Sequence, residues 1–113
     1  MSNNWFRWYQ VSEGDTLSGI ALWWFGSGDE HLFHRIRLAN RRVIGEDPNL
    51  IFSGQWLTLP FYGFWYSIER GDTLNKLAEL VYGEENVGWI IRQANPSITD
   101  PDMVRVSEWI WVP

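Results

Sequence analysis

The chain has 113 residues and no cysteine, so one small domain or two very small units must hold together without disulfides. Nine tryptophans are the remaining material for dense small cores. A net charge of −5 argues against a nucleic-acid partner, which needs a basic face, and no run approaches the roughly 20 apolar residues of a membrane span.

Residues 1–7 read as an N-terminal extension. They carry no basic n-region, apolar h-region or cleavage site, which predicts a protein that is cytoplasmic at synthesis. A strand follows from Trp8, with Tyr9 and Val11 on one face and Trp8 and Gln10 on the other. Gly14 permits a tight turn, and Asp15 and Thr16 are both suited to cap the next helix. That helix carries its apolar stripe on Leu17, Ile20, Ala21 and Trp24 and stops at Gly26. A shorter helix has Leu32, Ile36 and Ala39 inward and ends at Asn40. A polar loop then runs through Asp47-Pro48 to a last strand, Trp56-Leu57-Thr58-Leu59, and Pro60.

After a short aromatic linker, residues 61–64, the same order returns. Trp65-Tyr66 repeats Trp8-Tyr9, and Gly71-Asp72-Thr73-Leu74 repeats Gly14-Asp15-Thr16-Leu17. The second helical stripe is Leu74, Leu77, Ala78 and Val81, followed by Gly83; Val87, Ile91, Ala94 and Asn95 match the shorter helix. Asp100-Pro101 and Trp109-Ile110-Trp111-Val112 close the copy at Pro113. A repeat of this length is one supersecondary unit used twice, here over residues 8–60 and 65–113. The linker is not Gly/Ser-rich, so the two units are expected to pack on each other.

Strand parity makes a sharper prediction. If Tyr9, Val11, Leu57 and Leu59 face the helices, Trp8 and Trp56 face away; in the second copy Trp65, Trp109 and Trp111 face away. With Trp5 nearby, these six tryptophans are candidate protein-interface residues, unless the two copies bury the faces against each other. The basic group Arg35, Arg37, Arg41 and Arg42 reads as a solvated helix edge, as do His31 and His34, which lack a third ordered ligand for a metal. No nucleophile–base order and no carboxylate pair is recognisable, so no enzyme activity, metal or cofactor is expected.

These motifs, in order and twice, resemble the LysM family. The marks are a Tyr-x-Val-like strand, Gly-Asp-Thr-Leu, Phe25-Gly26 and Tyr82-Gly83, a helix ending in Asn, Asp-Pro, and Gly54-Gln55-Trp56-Leu57-Thr58-Leu59-Pro60. The resemblance implies an α+β fold of two tandem βααβ units. Each would be a two-stranded antiparallel sheet with two helices on one side. It also implies a non-catalytic module for N-acetylglucosamine-containing glycans such as peptidoglycan or chitin.

By matching position, the glycan groove of the first copy would use Gly14, Asp15, Thr16 and Leu17 with Pro48, Asn49, Leu50 and Ile51. The second would use Gly71, Asp72, Thr73 and Leu74 with Pro101, Asp102, Met103 and Val104. Ser107-Glu108 stands where the family has Gly-Gln, which predicts weaker glycan binding there. LysM-like units also occur in phage tails and contractile injection particles, so the resemblance, with no export signal, a stiff linker, the altered second loop and the outward tryptophans, implies a structural adaptor that docks on protein partners in such a particle, with a virion or particle location. Glycan binding at a cell wall is the alternative.

Overall fold

The computed structural model describes residues 5–100 and 104–113. Pro101, Asp102 and Met103 of the second candidate groove lie outside the described residues. The chain forms β1 (Phe6–Gln10), α1 (Leu17–Phe25), α2 (Glu30–Ala39), α3 (Arg41–Ile44) and β2 (Trp56–Pro60). It then forms β3 (Phe64–Ser67), α4 (Leu74–Tyr82), α5 (Trp89–Ala94) and β4 (Trp109–Val112). β1 pairs antiparallel with β2, with Tyr9 opposite Leu57 and Trp8 opposite Thr58. β3 pairs antiparallel with β4, with Trp65 opposite Trp111. The sheets are separate, so the chain holds two α+β units of the expected kind.

The alternation works as predicted on the inner faces. Leu57, Leu59, Tyr66, Ile110 and Val112 are buried. The first core gathers these strand residues with Leu17, Ile20, Ala21 and Ile36, and the second does so with Leu74, Leu77, Ala78, Val81 and Ile91. Thr16 and Thr73 cap α1 and α4, their hydroxyls accepting from the N–H groups of Gly19 and Lys76. Asp15 and Asp72 are not the caps; each locks the preceding turn instead, as described below.

Three local expectations change. Residues after Asn40 do not enter a loop directly; α3 adds one helical turn that buries Ile44 in the first core. Ala94 is exposed, and Val87 precedes α5 rather than lying within it. Ala39 packs on the second core, not the first. Leu38 goes further: it is buried inside the second core although it belongs to the first repeat.

The repeats therefore dock through α2. Arg35 lies at that contact, and all three of its guanidinium nitrogens donate to main-chain carbonyls. Nε reaches Val81 O at 3.2 Å, Nη1 reaches Tyr62 O at 2.8 Å and Nη2 reaches Pro113 O at 3.0 Å. Its guanidinium also lies 5.1 Å from the centroid of the Tyr82 ring, whose hydroxyl donates to the same Pro113 carbonyl. Arg35 is partly covered and Arg37 is buried, bonded to His34 Nδ1 and Gly45 O. Arg41 is partly covered as well, so of the basic edge expected from sequence only Arg42 is solvated. Arginine tolerates burial here because its fixed fork of donors finds acceptors whose positions the fold already determines.

His34 is likewise buried rather than solvated. Burial first, then the Arg37 charge, pushes its pKa below the usual histidine value. No group of three or more metal-ligating side chains occurs among the described residues, and no helix there is long and apolar enough to cross a membrane.

Candidate functional site

Two surfaces are candidates: the paired loops at the ends of the sheets, and a cleft between the sheets. The loops are built by the same bonds in both repeats. Tyr9 Oη donates to Asp15 Oδ2 at 2.6 Å, and the Ser12 N–H donates to the same oxygen at 2.8 Å. In the second repeat Tyr66 Oη and the Glu69 N–H converge on Asp72 Oδ2 at 2.5 and 2.7 Å. A carboxylate accepting two bonds fixes the turn that leads into the helix. The bond to Asp15 drives the Tyr9 hydroxyl pKa up to about 12; Tyr66 is also raised, chiefly by burial and then by Asp72.

The opposite loop is tied to this turn through the sheet. Val11 N donates to Gln55 O at 2.8 Å, and Gly54 N donates back to Val11 O at 2.8 Å. Gln55 Oε1 accepts from Phe52 N at 2.7 Å. The second repeat keeps every one of these bonds. Ile68 N donates to Glu108 O at 2.9 Å, Ser107 N donates to Ile68 O at 2.7 Å, and Arg105 N donates to Glu108 Oε1 at 3.4 Å.

Ser107 also takes the left-handed backbone of its counterpart, with φ of 71° against 91° at Gly54. Ser107-Glu108 thus keeps the main-chain bonds that Gly54-Gln55 makes, and the Glu108 carboxylate bonds inside its own turn.

Within the first groove, Gly14, Thr16, Asn49 and Leu50 are exposed, while Asp15, Pro48 and Ile51 are partly covered. Leu17 and Leu74 are enclosed in their cores, so they support the loops from below and present no surface. The apolar surface comes from Leu50 and from Phe52, a residue that the matched pattern did not single out; they are 52% and 61% exposed. Ile51 packs against the first core and Val104 against the second, at corresponding places. Gly71 is exposed and Asp72 and Thr73 are partly covered.

An asparagine in each repeat clamps the shorter helix to the last strand. Asn40 Nδ2 donates to Ile36 O and Thr58 O, and its Oδ1 accepts from the Thr58 N–H and hydroxyl. Asn95 does the same with Ile91 O and both main-chain groups of Trp111. Sequence reading placed both asparagines only as helix stops. Their recurrence at matching positions was the available signal.

The cleft is formed by the outer sheet faces. Trp8 and Trp56 come from the first sheet, Trp65 and Trp109 from the second, and the α2–α3 junction with Arg41 and Arg42 also lines it. The repeats do not bury these rings against one another; each remains 45–59% exposed. The cavity volume is about 280 Å³.

Trp8 and Trp56 meet edge to face at 6.5 Å, and Arg42 lies over the Trp109 ring at 5.3 Å. Arg41 spans the repeats, bonding Tyr66 Oη at 3.0 Å, lying 4.0 Å from Glu69, and pairing with Glu46. Of the other two outward candidates, Trp5 packs on the second core and against Trp111, and Trp111 also contacts Trp65, so both are partly covered.

Comparison with known proteins adds a family and relatives. A family model described as LysM domain matches residues 9–22 and 66–113, more than half the chain. Esterase MT1326 and Esterase Rv1288, from two Mycobacterium tuberculosis strains, are each 35% identical over 103 residues. That match covers 91% of this chain and 21% of each relative, so the chain spans about a fifth of the curated relatives it matches.

Two solved structures align over nearly the whole chain at low overall similarity. The Bacillus megaterium QM B1551 spore cortex-lytic enzyme SleL has a TM-score of 0.39 at 24% identity, over 96% of this chain and 23% of that one. The ectodomain of a receptor like kinase has a TM-score of 0.40 at 22% identity, over 95% of this chain and 58% of that one.

Proposed function

Because this chain belongs to the LysM domain family, we propose that it is a non-catalytic module that binds N-acetylglucosamine-containing glycans through its loop pairs. The observation that carries this reading is the doubled loop scaffold. Both repeats hold the strand-to-helix turn and the helix-to-strand loop together by the same bonds, Ser107-Glu108 included. A first loop fixed by its own bonds keeps the ordering cost of binding low, and the exposed side chains of Leu50 and Phe52 suit the apolar methyl of an acetamido group. The esterase names belong to proteins of which this chain spans 21%, and catalysis is not carried over to it. Titration calorimetry of the intact chain with chitin oligomers and soluble peptidoglycan fragments tests the reading. Binding is expected, weakened about tenfold by Leu50→Asp, a loss of roughly 1.4 kcal/mol. Flat titrations with every sugar would retire it.

A second reading, an adaptor docking on protein in a phage-tail-like or contractile injection particle, draws on a different surface. Tyr9, Trp23, Trp24 and Phe61 form a row of rings with neighbouring centroids 5.1–5.9 Å apart. Trp23 and the adjacent Leu22 are 60% and 58% exposed. Two exposed rings, Trp23 and Phe61, backed by the partly covered Tyr9 and Trp24, suit a protein contact. Co-sedimentation of the native protein with particles, lost in Trp23→Ser, is the expected outcome; a free monomer in every fraction would sink the idea.

A further inference from the structure

The geometry points to a second saccharide site in the cleft between the two sheets, where pyranose rings stack on Trp8, Trp56, Trp65 and Trp109. It rests on the glycan reading of the loops for the identity of the sugar, and on its own walls for the rest. Neither repeat makes this site alone, because each contributes two of the four indoles.

Shape and chemistry both narrow the occupant. A volume of about 280 Å³ lies just below the roughly 300–1,000 Å³ of ligand pockets, the scale of a small ring-shaped ligand. The indoles and Val43 share the cleft wall with polar groups: Thr58, Ser67 and Ser107 line it as well, and Glu69 lies 4.0 Å from Arg41. A protein hot spot wants an apolar, fully dried centre. A strongly charged ligand wants an excess of one sign, and here two arginines are offset by Glu69 and Glu46.

What fits is a neutral molecule that alternates apolar faces with hydroxyl edges, and that describes a sugar ring. Its C–H faces lie on indoles, and its rim hydroxyls bond to the serines, threonine and charged groups.

The site is also prebuilt. Arg35 fixes one repeat on the other, Arg41 bridges to Tyr66, and Arg42 steadies the Trp109 ring from one face. Rigid aromatics lose little side-chain freedom on binding, so four half-exposed indoles held this way are ready to stack.

The experiment titrates the intact chain with short chitin oligosaccharides and follows tryptophan emission beside calorimetry. The expected result is a saturable blue shift and protection from acrylamide quenching. Both should be lost in a Trp56→Ala/Trp109→Ala double variant, with apparent affinity falling about tenfold or more. Leu50→Asp, in the loop, should leave the emission change in place. The quenching arm needs no variant, so a misfolded substitution does not remove the test.

Heat of binding without any emission change, or an emission change that survives the double variant, overturns the cleft site while leaving the loop reading intact. Absence of both signals overturns the two together. A protein bound stoichiometrically by the wild type, lost in the double variant and undisturbed by sugar, would assign the cleft to a polypeptide and overturn the sugar.

Discussion

The two repeats differ most where they carry hydrophobic residues and least where they carry hydrogen bonds. Trp24 stands where Val81 does, and Trp8 and Trp65 share a position yet pack on different neighbours. Against that, the tyrosine–aspartate lock and the threonine cap recur atom for atom, and the asparagine clamp recurs in all its main-chain bonds. The comparison teaches that this unit is specified by a few polar fasteners at fixed places, while its apolar positions tolerate exchange, even of Trp for Val, as long as parity holds.

The largest expected effect breaks the fastener with the most bonds. Asn40→Leu removes four hydrogen bonds of a buried side chain and leaves the partly buried Thr58 N–H without a partner, so it should destabilise the chain by about 3 kcal/mol. Asn95→Leu removes three bonds at a less buried site and should cost about 2 kcal/mol. Urea denaturation of both variants checks the order; equal losses would mean that the clamps are not ranked by their bonds.

Next comes the joint between the repeats. Arg35→Met should cost about 2 kcal/mol and split one unfolding transition into two, read by calorimetry.

The tyrosine locks offer a pH test. Tyr9 carries its proton in the folded state up to a pKa of about 12, against 10.0 as a free side chain. A pKa raised by folding gives stability that is complete below pH 10 and lost as pH climbs through 12. Tyr66 is raised as well, so both repeats should weaken in alkali. Paired Tyr9→Phe and Tyr66→Phe variants should flatten that decline in a pH series of melting curves, at a cost of about 1 kcal/mol each.

The smallest effect concerns the left-handed position. Ser107→Gly should stabilise by up to about 1 kcal/mol and Gly54→Ser should destabilise by a similar amount, if the two loops are alike in backbone.

Much of this was legible in the chain because periodicity encodes one face at a time. The alternation in Trp8-Tyr9-Gln10-Val11 and Trp109-Ile110-Trp111-Val112 put the right residues inside, and Thr16 and Thr73 announced their helices. What stayed hidden has a common cause. Arg35, Arg37 and His34 look like surface residues because their partners are main-chain carbonyls or each other, which leave no mark in the sequence. The turn of α3 is only four residues long, too short for a stripe.

The sheet cleft could be read only in part. Parity gave the outward tryptophans, but their meeting around one cavity, with Arg41 and Arg42, depends on how the repeats dock. In the groove, matched positions named Leu17 and Leu74, which are interior, and passed over Phe52, which is not.

Leu38 carries a consequence for how the molecule comes into being. It is made with the first sixty residues, yet its place is among the side chains of the second repeat, where it is 2% exposed. As the nascent chain emerges, the first half must wait with a bare leucine until Phe64, Tyr66 and α4 arrive to cover it. Cutting the gene at the linker would give two fragments that each lack something, one an unsheltered leucine and the other a missing piece of its interior. The duplication that is so plain in the letters has become, in three dimensions, a pair in which one half keeps a piece of the other.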